Sequence, residues 1–254
     1  MRKPSLKAKE PLYLGIECGA THTAALLADR ADNVVRRVTE GPANLRLLND
    51  RQLSGLFQSI ARQTGKPASI AIGMAGARTP SDLARIRRAA EVAWLGIPCY
   101  ATNDLETALI AAPADPQAKA RVLLLSGTGS CCFGQSANGR SIKIGGWGHL
   151  IGDKGSGYEI GLRALKAVVY HYDRDGKWPP LGQRLLRALQ MNEPNDFIPW
   201  VQKAEKADIA ALAREVFDAF QQRDPIAGDI LSGASSSLAR DGIACAKRRH
   251  FRLG

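Results

Sequence analysis

The order of predicted strands and helices runs twice along this chain, and this repeat constrains the fold more than composition does. The first half reads β-β-β-α-β-α-β-α, and its opening strands "LYLGIEC" and "TAALLAD" are joined by a turn of small residues. The second half starts over with "RVLLLS" and "SCCFGQS", joined by Gly-Thr-Gly, then "SIKIGG" and a helix from about Gly155. The repeat predicts two related α/β domains, which we place at 11–113 and 114–254.

Two strands of the first half have no counterpart in the second. In the first half, "SIAIGMAG" and "PCYATND" alternate with helices expected at 50–64, capped by Asp50 and stopped by Gly65, and at 80–96. The second half continues instead with helical patterns only, which we interpret as a helical insertion. We therefore expect the second domain to be unfinished at Gly254 and the chain to be truncated.

Charge and hydropathy exclude two classes of partner. The formal net charge of +11 invites a nucleic-acid interpretation, but the basic residues are spread along the chain. An aromatic share of 6% supplies no stacking surface among them, so we expect no nucleic-acid partner. No apolar run approaches the roughly 20 residues of a membrane-spanning helix. The N-terminus lacks a signal-peptide pattern, so we expect no membrane association and a cytoplasmic location.

The cysteines predict neither a disulfide framework nor a metal site. Their count is odd and no CxxC spacing occurs, so we expect reduced, structural thiols. Two of them are adjacent on a predicted strand and point to opposite faces, which makes a shared metal ion difficult. The five are Cys18, Cys99, Cys131, Cys132 and Cys245.

Each half carries an apolar strand followed by a turn rich in Gly and hydroxyl residues. These turns are "CGATHT" in the first half and "SGTGS" in the second. Glycine lets the backbone approach an anion and leaves amide N–H groups free to point at it. One such turn alone is more typical of a plain hairpin. Two at equivalent places indicate that both could bind one phosphate chain.

Two carboxylates lie where strands end, and each has two interpretations. Asp104 closes "PCYATND" as a helix begins, so it is either a helix cap or a general base at the ligand-binding edge of an open α/β sheet. Glu17 closes the first strand beside the first turn. It either holds Mg²⁺ through water or is an exposed edge charge.

The stretch "IGGWGHLIGDKGSGYEIG" is the most unusual of the chain. Trp147, Leu150 and Ile151 are spaced among its glycines, which favours an ordered binding loop over disorder. We expect Asp153 to cap the helix that follows. His149 is either a packed, loop-anchoring residue or a catalyst. No second His or Cys lies at ligand spacing, so a zinc-type site is not supported.

Taken in order, "GIECGATHTAALLAD", "GPAN", "GMAGA", "TNDLETAL", "LLLSGTGS" and "GGWGHLIGDKGSGYEIG" resemble the N-acetylglucosamine kinases of the BadF/BadG/BcrA/BcrD family. This family is part of the actin-like ATPase superfamily, and the resemblance runs from about Tyr13 to Arg240. It implies two ribonuclease-H-like domains around a cleft, with MgATP bound between them and phosphoryl transfer to a sugar hydroxyl. The implied partner is a small-molecule amino sugar. Dimers are frequent in the family, so a homodimer is a further expectation.

The resemblance also implies roles for individual residues. Asp104 matches the catalytic base, which would take the proton from the 6-hydroxyl of the sugar, and Glu17 matches the position beside Mg²⁺. The ATP phosphates would be bound by Gly19, Thr21, Thr23, Ser126, Gly127, Thr128, Gly129 and Ser130. The sugar would be bound by Asn44, Gly76, Asn103, Gly146, Trp147, Gly148 and Asp153.

The chain departs from the family pattern at several positions. Cys18 and Ala20 replace glycines that are common in the first turn, Lys154 stands where an acidic residue is usual, and Cys131 replaces a polar residue. The adenosine-binding Gly-Gly motif of the family is expected after Arg248 and does not occur.

Two alternative functions stay open at the level of the sequence. One is an ATPase activator of a CoA-ester reductase, a class that holds an iron–sulfur cluster through cysteines; the cysteine placement here does not favour it. The other is a degenerate domain that binds sugar without turnover.

Overall fold

A computed structural model of the chain describes residues 10–19, 21–113, 115 and 117–248. Its contacts divide it into two units, Met1–Ala114 and Asp115–Gly254, and each unit has its own hydrophobic core. No helix of the described residues is long and apolar enough to span a bilayer.

The first unit is a five-stranded mixed sheet with three helices. Its strands are β1 Tyr13–Cys18, β2 Thr23–Ala28, β3 Val34–Glu40, β4 Ser69–Met74 and β5 Cys99–Asn103. Its helices are α1 Asp50–Thr64, α2 Pro80–Ala93 and α3 Asp104–Ala111. The strand order is β3-β2-β1-β4-β5, with β1, β2 and β3 antiparallel and β4 and β5 parallel to β1. The element order predicted for this half is confirmed.

Alternating buried side chains on β1 and one apolar face of α1 contribute to the first core. Leu14 and Ile16 of β1 are buried, while Gly15 between them is exposed, which is the period of two expected for a strand. Leu53 and Phe57 of α1 lie four residues apart on one helical face and are fully buried. These side chains belong to a single apolar cluster.

The prediction that Asp50 caps α1 is wrong by one residue. Asn49 is the cap: its side chain accepts a hydrogen bond from the backbone N–H of Gln52, and the Gln52 side chain accepts one from the Asn49 backbone. This reciprocal capping box satisfies two backbone donors at once. The helix ends at Gly65, as predicted, with φ +73° at that glycine. Helix α2 ends at Ala93, short of the predicted Gly96.

The second unit combines a three-stranded antiparallel sheet with a helical region. Its strands are β6 Ala120–Ser126, β7 Ser130–Ser136 and β8 Ser141–Gly145, in the order β6-β7-β8. Its helices are α4 Gly157–Asp175, α5 Pro180–Ala188, α6 Phe197–Val201, α7 Lys206–Ala211, α8 Ala213–Gln221 and α9 Pro225–Lys247, with a 3₁₀ turn at Pro194–Asp196. The predicted strands and helical patterns of this half are present.

Helices supply most of the second core. Val168 of α4, Leu185 of α5 and Val216 of α8 are fully buried within one cluster. On the middle strand β7, the adjacent Cys131 and Cys132 are both buried, because this strand is covered on both faces. None of the five cysteines forms a disulfide with another cysteine of the described residues.

Candidate functional site

Three parallel strands of the first unit end side by side. Cys18 of β1 is in register with Met74 of β4, and Met74 is in register with Asn103 of β5. The carboxyl ends of parallel strands form one edge of a sheet, where ligands of open α/β folds bind. Glu17 near the end of β1 and Asp104 directly after β5 therefore lie at the same edge.

The cap of α3 is Asn103, so the interpretation of Asp104 as the helix cap is wrong. The Asn103 side-chain oxygen accepts the backbone N–H of Glu106 at 2.8 Å. Asp104 is the first residue of the helix, where the positive end of the helix dipole favours a negative charge. Because Asn103 makes the capping hydrogen bond, the Asp104 carboxylate does not serve as the cap. Asp104 is half-buried at the edge of the sheet.

The two edge carboxylates share one electrostatic environment. Burial raises the pKa of the Glu17 carboxyl above its ordinary value of 4.5; the nearby His22 lowers it and the negative charge of Asp104 raises it. Mg²⁺ characteristically takes one or two carboxylates together with phosphate oxygens and water. Among the described residues no group of three or more His, Cys, Asp or Glu forms a closed metal site. The donor set at Glu17 fits a cation that shares its ligands with a phosphate.

The turn after β1 is tight at Gly19. The Gly19 N–H donates to the His22 carbonyl at 2.9 Å, and a Cβ on Gly19 would lie 3.1 Å from that carbonyl oxygen. Thr21 is exposed, whereas Thr23 is buried and donates its hydroxyl to the Gly41 carbonyl. The exposed hydroxyl on this turn is thus that of Thr21. Ala20 lies outside the described residues.

Cys18 does not take part in this turn as a ligand group. Its side chain is fully buried in the first core, and burial raises the pKa of its thiol to about 12. Replacing a glycine by cysteine here therefore places the extra atoms in the core and not on the exposed edge.

Asn44 and Gly76 meet beyond the end of β4. Asn44 forms an isolated parallel bridge with Ala75, and a Cβ on Gly76 would lie 2.3 Å from the Asn44 side-chain oxygen. Gly76 also has φ +83°, so both its backbone conformation and its close contact require glycine. Arg46, which sequence reasoning missed, donates from Nε to the Gly76 carbonyl and forms an ion pair with Asp82. Asn44, Gly76 and Asn103 therefore share the edge that carries Asp104.

In the second unit, the turn 126–130 is bonded to the start of α4. The hydroxyl of Ser126 donates to the Gly155 carbonyl and that of Ser130 donates to the Lys154 carbonyl, both at 2.8 Å. The Gly157 N–H donates to the Gly127 carbonyl, also at 2.8 Å. The hydroxyl groups of both serines therefore already donate their hydrogen bonds within the protein.

Other groups of this turn remain available to a ligand. Within the part of the chain that the structure describes, the backbone N–H groups of Thr128 and Gly129 donate no hydrogen bond. The Thr128 hydroxyl lies on the same turn. Converging N–H groups on a glycine-rich turn are donors suited to phosphate oxygens.

Asp153 lies against this turn and does not cap α4, contrary to prediction. Ser156 is the cap, because its hydroxyl accepts the Glu159 N–H at 3.2 Å. Asp153 is only 4% exposed and has a left-handed backbone with φ +56°. Its Oδ2 lies 2.8 Å from Nζ of Lys206 and would lie 2.8 Å from a Cβ on Gly129. Lys206 is 53 residues away in sequence, and no local pattern pointed to it.

The glycine-rich loop before α4 is ordered and presents apolar side chains. Gly146 and Gly148 adopt positive φ on either side of Trp147, which is 74% exposed. The His149 ring makes an edge-on contact with Tyr158, with ring centroids 4.8 Å apart. This contact favours the interpretation of His149 as a packed residue that anchors the loop. The loop therefore offers Trp147 and glycine backbone at the surface of the unit.

Comparison with known sequences identifies a family and named relatives. The model of the BadF/BadG/BcrA/BcrD ATPase family matches residues 14–253. An N-acetylmuramic acid/N-acetylglucosamine kinase of Clostridium acetobutylicum is 31% identical over 237 residues, covering 89% of this chain and 76% of that protein. An N-acetyl-D-glucosamine kinase of Dictyostelium discoideum is 27% identical over 247 residues with the same coverage. The resemblance noted in the sequence is confirmed.

Solved structures share the fold. A Chromobacterium violaceum protein provisionally assigned as an N-acetylglucosamine kinase aligns with a TM-score of 0.72 and 23% identity, over 94% of this chain and 82% of that chain. A ROK family glucokinase from Streptomyces griseus, solved with glucose and AMPPNP, aligns with a TM-score of 0.56 and 14% identity, over 91% and 78%. The predicted α/β class is confirmed, since the chain has two sheets with packed helices and shares its fold with these solved structures.

Proposed function

Because this chain belongs to the BadF/BadG/BcrA/BcrD ATPase family, we propose that it transfers the γ-phosphoryl group of ATP to the 6-hydroxyl of an amino sugar. Its relatives in Clostridium and Dictyostelium are sugar kinases named for N-acetylglucosamine, and the former also for N-acetylmuramic acid. The proposed acceptor is accordingly N-acetylglucosamine, glucosamine or the muramic acid derivative. The observation that carries the proposal is Asp104, half-buried at the ligand-binding edge and left out of the α3 cap.

In this reaction Asp104 acts as the general base. It accepts the proton of the sugar hydroxyl as that oxygen bonds to the γ-phosphorus. The bond from the γ-phosphorus to the bridging oxygen breaks, and ADP leaves. Asp104 acts in its ionised form, because only a carboxylate can accept this proton. Catalysis otherwise consists of positioning and charge neutralisation.

The proposed phosphate contacts are the two Gly-rich turns. Thr21 of the first turn is exposed, and the backbone N–H groups of Thr128 and Gly129 in the second turn donate no hydrogen bond within the described residues. The remaining proposed members shape the turns, since their hydroxyl or backbone groups bond within the protein; they are Gly19, Thr23, Ser126, Gly127 and Ser130. Glu17 is the proposed residue beside Mg²⁺, which when bound neutralises charge on the ATP phosphates.

The proposed sugar contacts fall into two groups. Asn44, Gly76 and Asn103 share the edge with Asp104, which supports a role in placing the acceptor hydroxyl near the base. The contribution of the second unit is proposed to come from Gly146, Trp147, Gly148 and Asp153. The exposed indole of Trp147 offers the apolar face on which a sugar ring stacks.

The burial of the cysteines disfavours the alternative of a reductase activator. A cluster held between subunits needs thiols at the surface, but Cys18, Cys131, Cys132 and Cys245 are buried and Cys99 is partly buried. The other alternative, a degenerate domain, would bind the sugar as the kinase does but would not transfer phosphate to it.

Sugar-dependent release of ADP tests the function. We expect the wild-type chain to release ADP with N-acetylglucosamine and not with its 6-deoxy analogue. Asp104→Asn should lower kcat by about 10²-fold or more while sugar affinity, measured by calorimetry, is kept. The control Asp173→Asn removes an exposed carboxylate on α4 and should leave kcat unchanged. ATP hydrolysis that ignores the sugar would favour the activator, and sugar binding without turnover would favour the degenerate domain.

A further inference from the structure

We propose that Lys206 is a catalytic residue whose ammonium group contacts the transferred phosphoryl group of ATP, a role that rests on the proposed kinase function. Lys206 is the first residue of α7 and its side chain is 33% exposed, while the Asp153 carboxylate that it contacts is 4% exposed. The lysine therefore extends from the surface to a buried carboxylate, which holds Nζ at 2.8 Å.

The ammonium group lies against the backbone of the turn 126–130. A Cβ on Gly129 would lie 3.2 Å from Nζ of Lys206 and 2.8 Å from Oδ2 of Asp153. Because residue 129 is a glycine, no side chain lies between the charge and the turn. The unused N–H groups of Thr128 and Gly129 belong to this same turn. A positive charge and two backbone donors are thus presented to one anion.

The ion pair leaves donors on the lysine. An ammonium group has three N–H bonds, and Asp153 accepts one of them. A third of the Lys206 side chain is accessible to solvent. Asp153 thus orients Nζ, and the remaining N–H groups are free to meet phosphate oxygens.

The chemistry of the transfer step makes a fixed positive charge valuable at this place. As the sugar oxygen bonds to the γ-phosphorus and the bond to the bridging oxygen of ADP breaks, negative charge is spread over the oxygens of the phosphoryl group. The proton goes to Asp104, so Lys206 exchanges no proton and acts by charge alone. Preorganised charges or donors of this kind contribute about 10²–10³-fold to kcat.

Charge removal at Lys206 tests the proposal in the full chain. Lys206→Gln keeps an N–H donor for Asp153 and removes the positive charge, whereas Lys206→Arg keeps the charge. We expect Lys206→Gln to lower kcat/KM for ATP by about 100-fold. The kcat/KM for ATP of Lys206→Arg should be at least about tenfold higher than that of Lys206→Gln. The control Lys203→Gln removes an exposed lysine three residues earlier and should leave kcat/KM unchanged.

Binding of ATP and adenosine separates phosphate contact from structural support. Lys206→Gln should weaken ATP binding, measured by calorimetry, and leave adenosine binding unchanged. This binding measurement needs no turnover. If the chain had no kinase activity, the proposed function would be contradicted, but the ATP affinity of Lys206→Gln would still test the contact between Lys206 and phosphate. Retention of kcat/KM within about threefold, or equal weakening of ATP and adenosine, would overturn the role of Lys206.

A double variant covers the case in which Lys206→Gln fails to fold. Removing one partner of a buried ion pair leaves an uncompensated charge, whereas removing both does not. Lys206→Gln combined with Asp153→Asn should therefore fold and still bind ATP weakly with unchanged adenosine affinity. Wild-type affinity for ATP in this double variant would equally overturn the proposal.

Discussion

At the scale of single residues, the edge of the first sheet holds a carboxyl group that is costly to ionise. Burial raises the pKa of Glu17, and the negative charge of Asp104 raises it further. Sites that bind substrate are commonly arranged at the expense of stability. The cost should be measurable at Glu17.

Glu17→Gln should make the protein more stable at neutral pH. The pKa of Glu17 is raised in the folded state, so folding favours its protonated form; that stabilisation is complete below about pH 4.5 and is lost as pH rises through the folded pKa. The variant cannot ionise, so its Tm should exceed that of the wild type by about 1–3 °C at pH 7 and converge with it below pH 4.5.

The control for this comparison is Glu10→Gln, at an exposed glutamate, which should leave the Tm unchanged. If Glu17 also lies beside Mg²⁺, Glu17→Gln should need a higher Mg²⁺ concentration for half-maximal ADP release. A Tm difference that stayed constant between pH 4 and pH 8 would contradict the assignment of a raised pKa.

The residue scale is also where the sequence was least informative. In both α1 and α3 an Asn directly precedes an Asp, and in both the Asn is the cap and the Asp is the first helical residue. Asn and Asp have nearly equal preference for the cap position, so propensity cannot choose between neighbours. Lys206 was missed for a different reason: its contact with Asp153 is made by tertiary packing, which leaves no local pattern.

At the scale of elements, α3 connects helix capping with catalysis. Its cap, Asn103, is followed directly by the proposed base, so the start of the helix fixes the backbone of Asp104. The sequence predicted this strand-to-helix junction correctly, because the buried strand and the apolar helix positions are local patterns.

Asn103→Ala should reduce both stability and turnover. Loss of the hydrogen bond to the Glu106 N–H costs about 1 kcal/mol of the free energy of unfolding, measured in urea. We also expect kcat to fall about tenfold, because the first turn of α3 then holds Asp104 less firmly. Asn49→Ala removes the equivalent cap from α1 and should give a similar loss of stability with kcat unchanged. Equal effects of both variants on kcat would contradict this link.

At the scale of the whole molecule, stability resides in two separate cores. One is formed by the sheet and helices of the first unit and the other largely by the helices of the second. The sequence predicted both sets of elements from their periodicity. It could not predict which helices of the second half would pack together, since every one of them carries an apolar face.

A cavity in either core should destabilise the chain, and a surface truncation should not. Phe57→Ala and Leu185→Ala each remove a fully buried side chain and should lower the free energy of unfolding by about 2–5 kcal/mol. Leu150→Ala, at a leucine that is 83% exposed, should change it by less than about 0.5 kcal/mol. Urea unfolding measures all three, and a large effect at Leu150 would show that this side chain is covered in solution.

The hydrogen bonds between the turn 126–130 and the segment 154–157 have a consequence for ligand binding. The segment directly follows the loop that carries Trp147, so a ligand that displaces the end of this loop must also displace the turn. Linkage then requires reciprocity: a ligand of the loop changes the affinity of the turn for phosphate, and phosphate changes the affinity for that ligand by the same factor. Cooperativity between sugar and nucleotide would in this way arise within a single unit.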